Sequence, residues 1–221
     1  MKIQGREIKL VIFDLDGTLL DSTSLWAKID EIFFAKHGME VPPNYGPTIA
    51  TMGLPKAAAY TKKNYLPHMS EEEILAEWDY LSLKEYEEEI PLKDGALLLL
   101  DALKESGVSL AVATANSPHL YKPALKRLGI EGYFQATMDP TLGNANKATA
   151  KMYDDLSDSF GLRHDEVAVI EDSLSALSVA KGAGYFTIGV YDKSTTKDIS
   201  QAKANSDLFV FTLLDLVSLL H

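Results

Sequence analysis

The chain has 221 residues, 46% of them hydrophobic and 24% charged, with a formal net charge of −11 and no cysteine. This size and composition suit a soluble globular protein with one sizeable core and room for a smaller appended domain. The acidic balance argues against nucleic acid or anionic membranes as partners, and the lack of cysteine excludes disulfides, zinc–thiolate sites and thiol catalysis.

The N-terminal stretch MKIQGREIKLVIF lacks the long apolar run of a signal peptide, and no apolar run reaches membrane-spanning length. A cytoplasmic location is the resulting expectation. Within that stretch, IKLVIF at 8–13 reads as a buried strand that stops at Asp14. Residues 21–90 then hold helix formers without a convincing strand. Helices are predicted at about 23–37 and 70–89, with another between them. His37-Gly38 reads as a helix end, and Ser70 with Glu73 has the spacing of a capping box. Met69, Trp78 and Tyr80 read as the apolar core of this insert, and the glutamates at 71–73 and 85–89 as a solvated face. Pro91 marks the return to the main domain.

From there apolar runs at 108–114, 166–171, 185–190 and 207–211 alternate with helical patterns at 95–106, 118–128, 147–160, 173–182 and 212–220. Gly107 and Gly129 stand where helices should close. Strands alternating with helices imply a parallel sheet covered on both faces. The predicted fold is therefore α/β. Residues 1–20 and 91–221 form a discontinuous Rossmann-like core, and 21–90 form an inserted all-helical cap.

The chemistry-bearing residues follow the predicted strands. Asp14-Leu15-Asp16-Gly17-Thr18 comes directly after the first, and ligands of open α/β sheets bind at the carboxyl ends of strands. Alternation turns Asp14 and Asp16 the same way, and two neighbouring carboxylates either hold a metal or divide acid and base work. Gly17 permits a tight turn whose N–H groups can meet an anion. Thr114, followed by Ala115 and Asn116, offers a hydroxyl and backbone N–H groups ahead of a helix. Glu171-Asp172 is an acidic pair after another strand, and Lys147 opens the helix preceding that strand. Taken singly, these are also a helix cap, an acidic strand end and a surface lysine. In this order they supply a nucleophile, charge neutralisation and a proton shuttle, the parts that phosphoryl transfer needs.

On these motifs the sequence resembles the haloacid dehalogenase superfamily, in the subgroup with a helical cap after the first motif. DLDGT (14–18), Thr114 in ATANS, Lys147 with Tyr153 six residues later, and VIEDS (169–173) match its four motifs in order. The sequence departs from the pattern at Ala148 and Ala150, where the third motif has prolines, which leaves Lys151 as an alternative to Lys147, and at Ala176, often a glycine. The resemblance implies an Asp14 nucleophile, Asp16 as acid and base, and Mg²⁺ held by Asp14, the Asp16 carbonyl and Asp172, with Glu171 direct or through water. Lys147, Thr114 and the N–H groups of Gly17 and Ala115 would hold the phosphoryl oxygens, and Lys56, after Met52-Gly53-Leu54-Pro55, would help choose the substrate. The implied activity is hydrolysis of a small phosphorylated metabolite by a monomer or weak dimer.

Other readings are weaker. Dehalogenases and phosphonate-cleaving relatives do not need Asp16. A phospho-receiver domain would carry its acidic pair and its phosphorylated Asp on different strands. A catalytically silent scaffold would have no reason to keep every reacting group. A β-phosphoglucomutase-like enzyme is the closest competitor, but such mutases carry a His ten residues after the second motif Asp, where this chain has Trp26. Trp26 is expected to pack between cap and core, and the helix at 70–89 offers only Lys84 as a cation for a second phosphate.

Overall fold

The computed structural model describes residues 1–50, 52–142 and 147–220. The chain divides into two compact units, one made of Met1–Thr23 with Pro91–His221, the other of Ser24–Ile90.

The first unit opens with a two-stranded antiparallel ribbon, β1 (Lys2–Ile3) and β2 (Arg6–Glu7), which the sequence reading did not anticipate. β3 (Leu10–Phe13) follows, and all four of its residues are buried. After the second unit come α5 (Ala96–Glu105), β4 (Ser109–Ala113), α6 (Pro118–Arg127), β5 (Ala136–Met138), α7 (Lys151–Ser159), β6 (Val167–Glu171), α8 (Leu174–Gly182), β7 (Phe186–Val190), α9 (Ile199–Ala204), β8 (Leu208–Val210) and α10 (Leu213–Leu219). The strands from β3 onward form one parallel sheet in the order β5-β4-β3-β6-β7-β8. β6 and β7 are, like β3, buried at every residue. A strand covered on both faces cannot alternate, which is why these runs read as continuously apolar. Gly107 and Gly129, at φ 74° and 71°, close α5 and α6 as predicted.

The second unit is helical: α1 (Leu25–Lys36), α2 (Tyr45–Ile49), α3 (Leu54–Asn64) and α4 (Glu71–Glu88). The predicted single middle helix is two, divided near Gly53. α4 has the full reciprocal capping box between Ser70 and Glu73. The core of this unit is aromatic. Phe33 meets Trp78 edge-on at 5.7 Å, and Phe34 meets Tyr45 at 4.7 Å. Tyr80, expected in that core, is 61% exposed instead. It lies two residues from buried Trp78, too far round the helix to share its face. No helix among the described residues is long and apolar enough to cross a membrane.

Candidate active site

The position of β3 at the middle of the sheet assembles the site. Register pairs Phe13 with Val112 of β4 on one side and with Ile170 of β6 on the other. The residues that follow each strand therefore emerge at one edge: Asp14 after β3, Thr114 after β4, Glu171 and Asp172 at the end of β6. The Asp14 N–H donates to the Ile170 carbonyl at 3.0 Å, which locks the two carboxylate-bearing strand ends side by side. This edge is the crevice where parallel sheets place their ligands.

Asp14, Glu171 and Asp172 are buried, with one carboxylate oxygen from each within 4.8 Å of the others. Three carboxylates so close repel one another unless a cation joins them. Lys147 supplies one positive charge: its Nζ donates to Asp14 Oδ1 and to Glu171 Oε1. Burial holds the Asp14 carboxyl well above its ordinary range. Lys147 opposes that rise, while Glu171 and Asp172 add to it. Burial, then Glu171, push Asp172 up to about 6. Burial alone would lower the Lys147 ammonium, but Asp14 and Glu171 hold it above its usual range. Lys147 stands in the turn ahead of α7, which begins only at Lys151, so the predicted helix starts four residues late. The turn lets Lys147 reach the cluster, whereas Lys151 is tied to Asp155 at 2.8 Å within its own helix.

The turn after β3 is fitted to Asp172. Gly17 has φ 82°, and a Cβ built there would lie 2.5 Å from Asp172 Oδ2. Asp172 Oδ1 accepts from Thr18 Oγ1 at 3.0 Å, and Oδ2 accepts from Thr195 Oγ1 at 2.7 Å. The Ser173 N–H donates to Glu171 Oε2 at 2.8 Å. Asp16 lies beside the cluster, and its carboxylate accepts from Asn116 Nδ2 at 3.0 Å. The Asn116 N–H donates to Thr114 Oγ1 at 3.0 Å. Thr114 is buried and Ala115 exposed at the start of the segment leading to α6.

The fold thus brings Asp14, Asp16, Gly17, Thr114, Ala115, Lys147, Glu171 and Asp172 to one edge of the sheet. Lys56 belongs to the other unit, exposed on the first turn of α3. Trp26 is also in that unit. Expected to be packed away, it is 49% exposed and lines a cavity between helices of the same unit.

Several supporting residues had no sequence signal. Lys93 Nζ donates to the Gly17 carbonyl at 2.5 Å, the Tyr191 carbonyl at 3.1 Å and Asp192 Oδ2 at 2.8 Å. Thr23 Oγ1 donates to the same Asp192 oxygen at 2.6 Å. Burial would raise the Asp192 carboxyl, but Lys93, Ser194 and Thr23 hold it down at about 2. Asp192 and Thr195 lie in the loop after β7, which carried no recognisable motif. Tyr153, which the third motif did mark, has a buried hydroxyl with no hydrogen-bond partner among the described residues.

The cluster fits a hard divalent cation. Its donors are all carboxylate oxygens, they converge, and together they carry more negative charge than Lys147 cancels.

A family model described as haloacid dehalogenase-like hydrolase matches residues 11–190. A Clostridium perfringens protein assigned as the pyrophosphatase PpaX is 27% identical over 218 residues, covering 97% of this chain and 99% of its own. Validoxylamine A 7'-phosphate phosphatase of Streptomyces hygroscopicus is 25% identical, covering 94% of this chain and 95% of its own. Among solved structures, one from Thermotoga maritima assigned as a β-phosphoglucomutase superposes with a TM-score of 0.86 at 21% identity, covering 96% of this chain and 98% of that one. At that identity the likeness establishes the fold.

Proposed function

Because the chain belongs to the haloacid dehalogenase-like hydrolases, we propose that it is a Mg²⁺-dependent phosphatase that releases phosphate from a small phosphorylated metabolite through an aspartyl-phosphate on Asp14. One observation carries this reading: three buried carboxylates and Lys147 converge at the carboxyl edge of adjacent central strands. The relatives named as phosphatases along nearly the whole chain support the reaction class.

In this reading Asp14, Asp172 and the Asp16 carbonyl would hold the metal, with Glu171 beside them. Charge on the phosphoryl oxygens would be neutralised by Mg²⁺ bound there. A carboxylate oxygen of Asp14 attacks phosphorus, and the bond to the leaving oxygen breaks. Asp16 gives that oxygen its proton, then takes one from the water that attacks the aspartyl-phosphate, so phosphate leaves and both groups are regenerated. The Asn116 contact orients Asp16 for both transfers. Lys147, Thr114 and the N–H groups of Gly17 and Ala115 hold the phosphoryl oxygens. The helical unit acts as a cap that selects the leaving group, with Lys56 as its contributing cation. Hydrolysis is favoured over sugar phosphomutation because Trp26 offers no basic nitrogen where a mutase of this family has histidine.

A screen of phosphorylated metabolites, reading released phosphate, tests the reading. Activity should require Mg²⁺ and fall when Ca²⁺ replaces it, since Ca²⁺ is larger and takes more ligands. Full turnover in excess chelator would sink it. With β-glucose 1-phosphate and catalytic bisphosphate, glucose 6-phosphate forming faster than free phosphate would favour the mutase.

A further inference from the structure

The helical unit contains a second feature with unused chemistry. A cavity of about 300 Å³ lies among its helices, walled by Ile49, Leu54 and Ala57 and by Trp26 and Trp78. That volume is at the lower end of small-molecule sites. One carboxylate lines it, that of Asp30, which stands one turn after Trp26 on α1. Asp30 is 5% exposed and has no hydrogen-bond or ion-pair partner among the described residues. Its Oδ2 faces Gly46, another wall residue, where an added Cβ would lie 3.6 Å away. The nearby cation on α1, Lys28, is engaged by Glu85 at 2.7 Å. Trp78 Nε1 is likewise buried without a partner among the described residues.

An unpaired carboxylate in an apolar cavity costs free energy unless a counter-charge or donors reach it. We propose that this cavity is a binding site for an organic ammonium ion with a short apolar body. An ammonium supplies both the charge and the N–H donors that no described residue gives Asp30. The two indoles add cation–π attraction, and the aliphatic walls take the carbon chain. Burial pushes Asp30 up to about 6, which leaves it ionised in weakly alkaline buffer. A neutral alcohol of the same shape would leave the carboxylate charge uncompensated. Because Trp26 and Leu54 belong to the unit assigned to leaving-group selection, the inference names the chemistry of that group and rests on the phosphatase reading for its use, while its binding test does not.

The two tryptophans of the chain both line the cavity, so intrinsic fluorescence reports on it directly. The test titrates n-butylammonium and 1-butanol into the full chain at about pH 8 and into Asp30→Asn. The expected result is a saturable change with the amine at least about tenfold tighter than with the alcohol, and a loss of about tenfold or more in Asp30→Asn, where tenfold is ~1.4 kcal/mol. The proposal is overturned by equal binding of amine and alcohol, or by a folded Asp30→Asn variant that keeps amine affinity. It is also overturned if the unaltered chain shows no saturable change up to about 50 mM, well above the ~1 mM Kd that ~4 kcal/mol of binding gives. If Asp30→Asn does not fold, the amine-to-alcohol ratio in the unaltered chain decides alone. Because no turnover is read, failure here is separate from failure of the phosphatase assay.

Discussion

Gly17 and Asp172 are a matched pair. The positive φ of Gly17 makes the turn, and the missing Cβ leaves the space that the Asp172 carboxylate fills. Gly17→Ala should cost about 1–3 kcal/mol in stability through its backbone conformation. It should also raise the Mg²⁺ midpoint for activity about 10- to 100-fold by displacing Asp172. Thermal melts and a metal titration of the variant check both, and an unchanged metal midpoint would separate the turn from the ion site. The buried carboxylates also make a pH prediction. Asp172 and Asp30 both have folded values near 6 against an ordinary 3.8, so the folded state holds protons that the unfolded chain releases. Their contribution to stability is full below the ordinary value and is lost as pH rises through about 6. Asp192, at about 2, works in the opposite direction: its contribution is present above 3.8 and is lost as pH falls through 2. Chelator-treated protein should therefore melt higher at about pH 5 than at about pH 8, by an effect on the order of 2 kcal/mol, and Mg²⁺ should narrow the gap. A melting temperature independent of pH across that range would show that the cluster is not destabilised by its own charge.

At the scale of elements, the site depends on loops being fixed to one another. Lys93, in the segment returning to the core, joins the turn after β3 to the loop after β7 through Gly17, Tyr191 and Asp192. Lys93→Met leaves Asp192 buried with only hydroxyl and N–H donors, and should destabilise the fold by about 3–5 kcal/mol. Denaturant melts measure this, and a loss below about 1 kcal/mol would place the pair among the weak surface bridges. Lys93 and Asp192 are 99 residues apart, and nothing local in either segment marks the contact. By contrast, the capping box of α4 was legible because both partners lie within four residues. The strands β3, β6 and β7 were legible because burial on both faces leaves an unbroken apolar run. β5 carries no such signal because its three residues lie at the sheet edge, half-buried, without an unbroken apolar run. α9 is only six residues long, too short to show a helical period. The first, second and fourth motif segments can be read because each follows a strand end, and the third because Tyr153 stands six residues after Lys147, while Thr195 and Lys93 support them from segments that carry no fixed spacing.

For the whole molecule, the central claim is that an acidic protein of net charge −11 handles a phosphate ester by forming a covalent bond to one of its own carboxylates. Long-range repulsion of an anion must then be overcome within a few ångströms, by Lys147 and a divalent ion acting where water is scarce. The most direct test is to trap that covalent bond. The full chain is mixed with Mg²⁺ and a generic substrate such as p-nitrophenyl phosphate, quenched during turnover, and treated with borohydride, which reduces an acyl phosphate to an alcohol. Peptide mass spectrometry then locates the reduced side chain. Reduction is expected at position 14, dependent on substrate and Mg²⁺ and absent from Asp14→Asn, which should also release no phosphate. Phosphate release by a folded Asp14→Asn protein at the unaltered rate, or a trapped acyl phosphate at any other carboxylate, would contradict it.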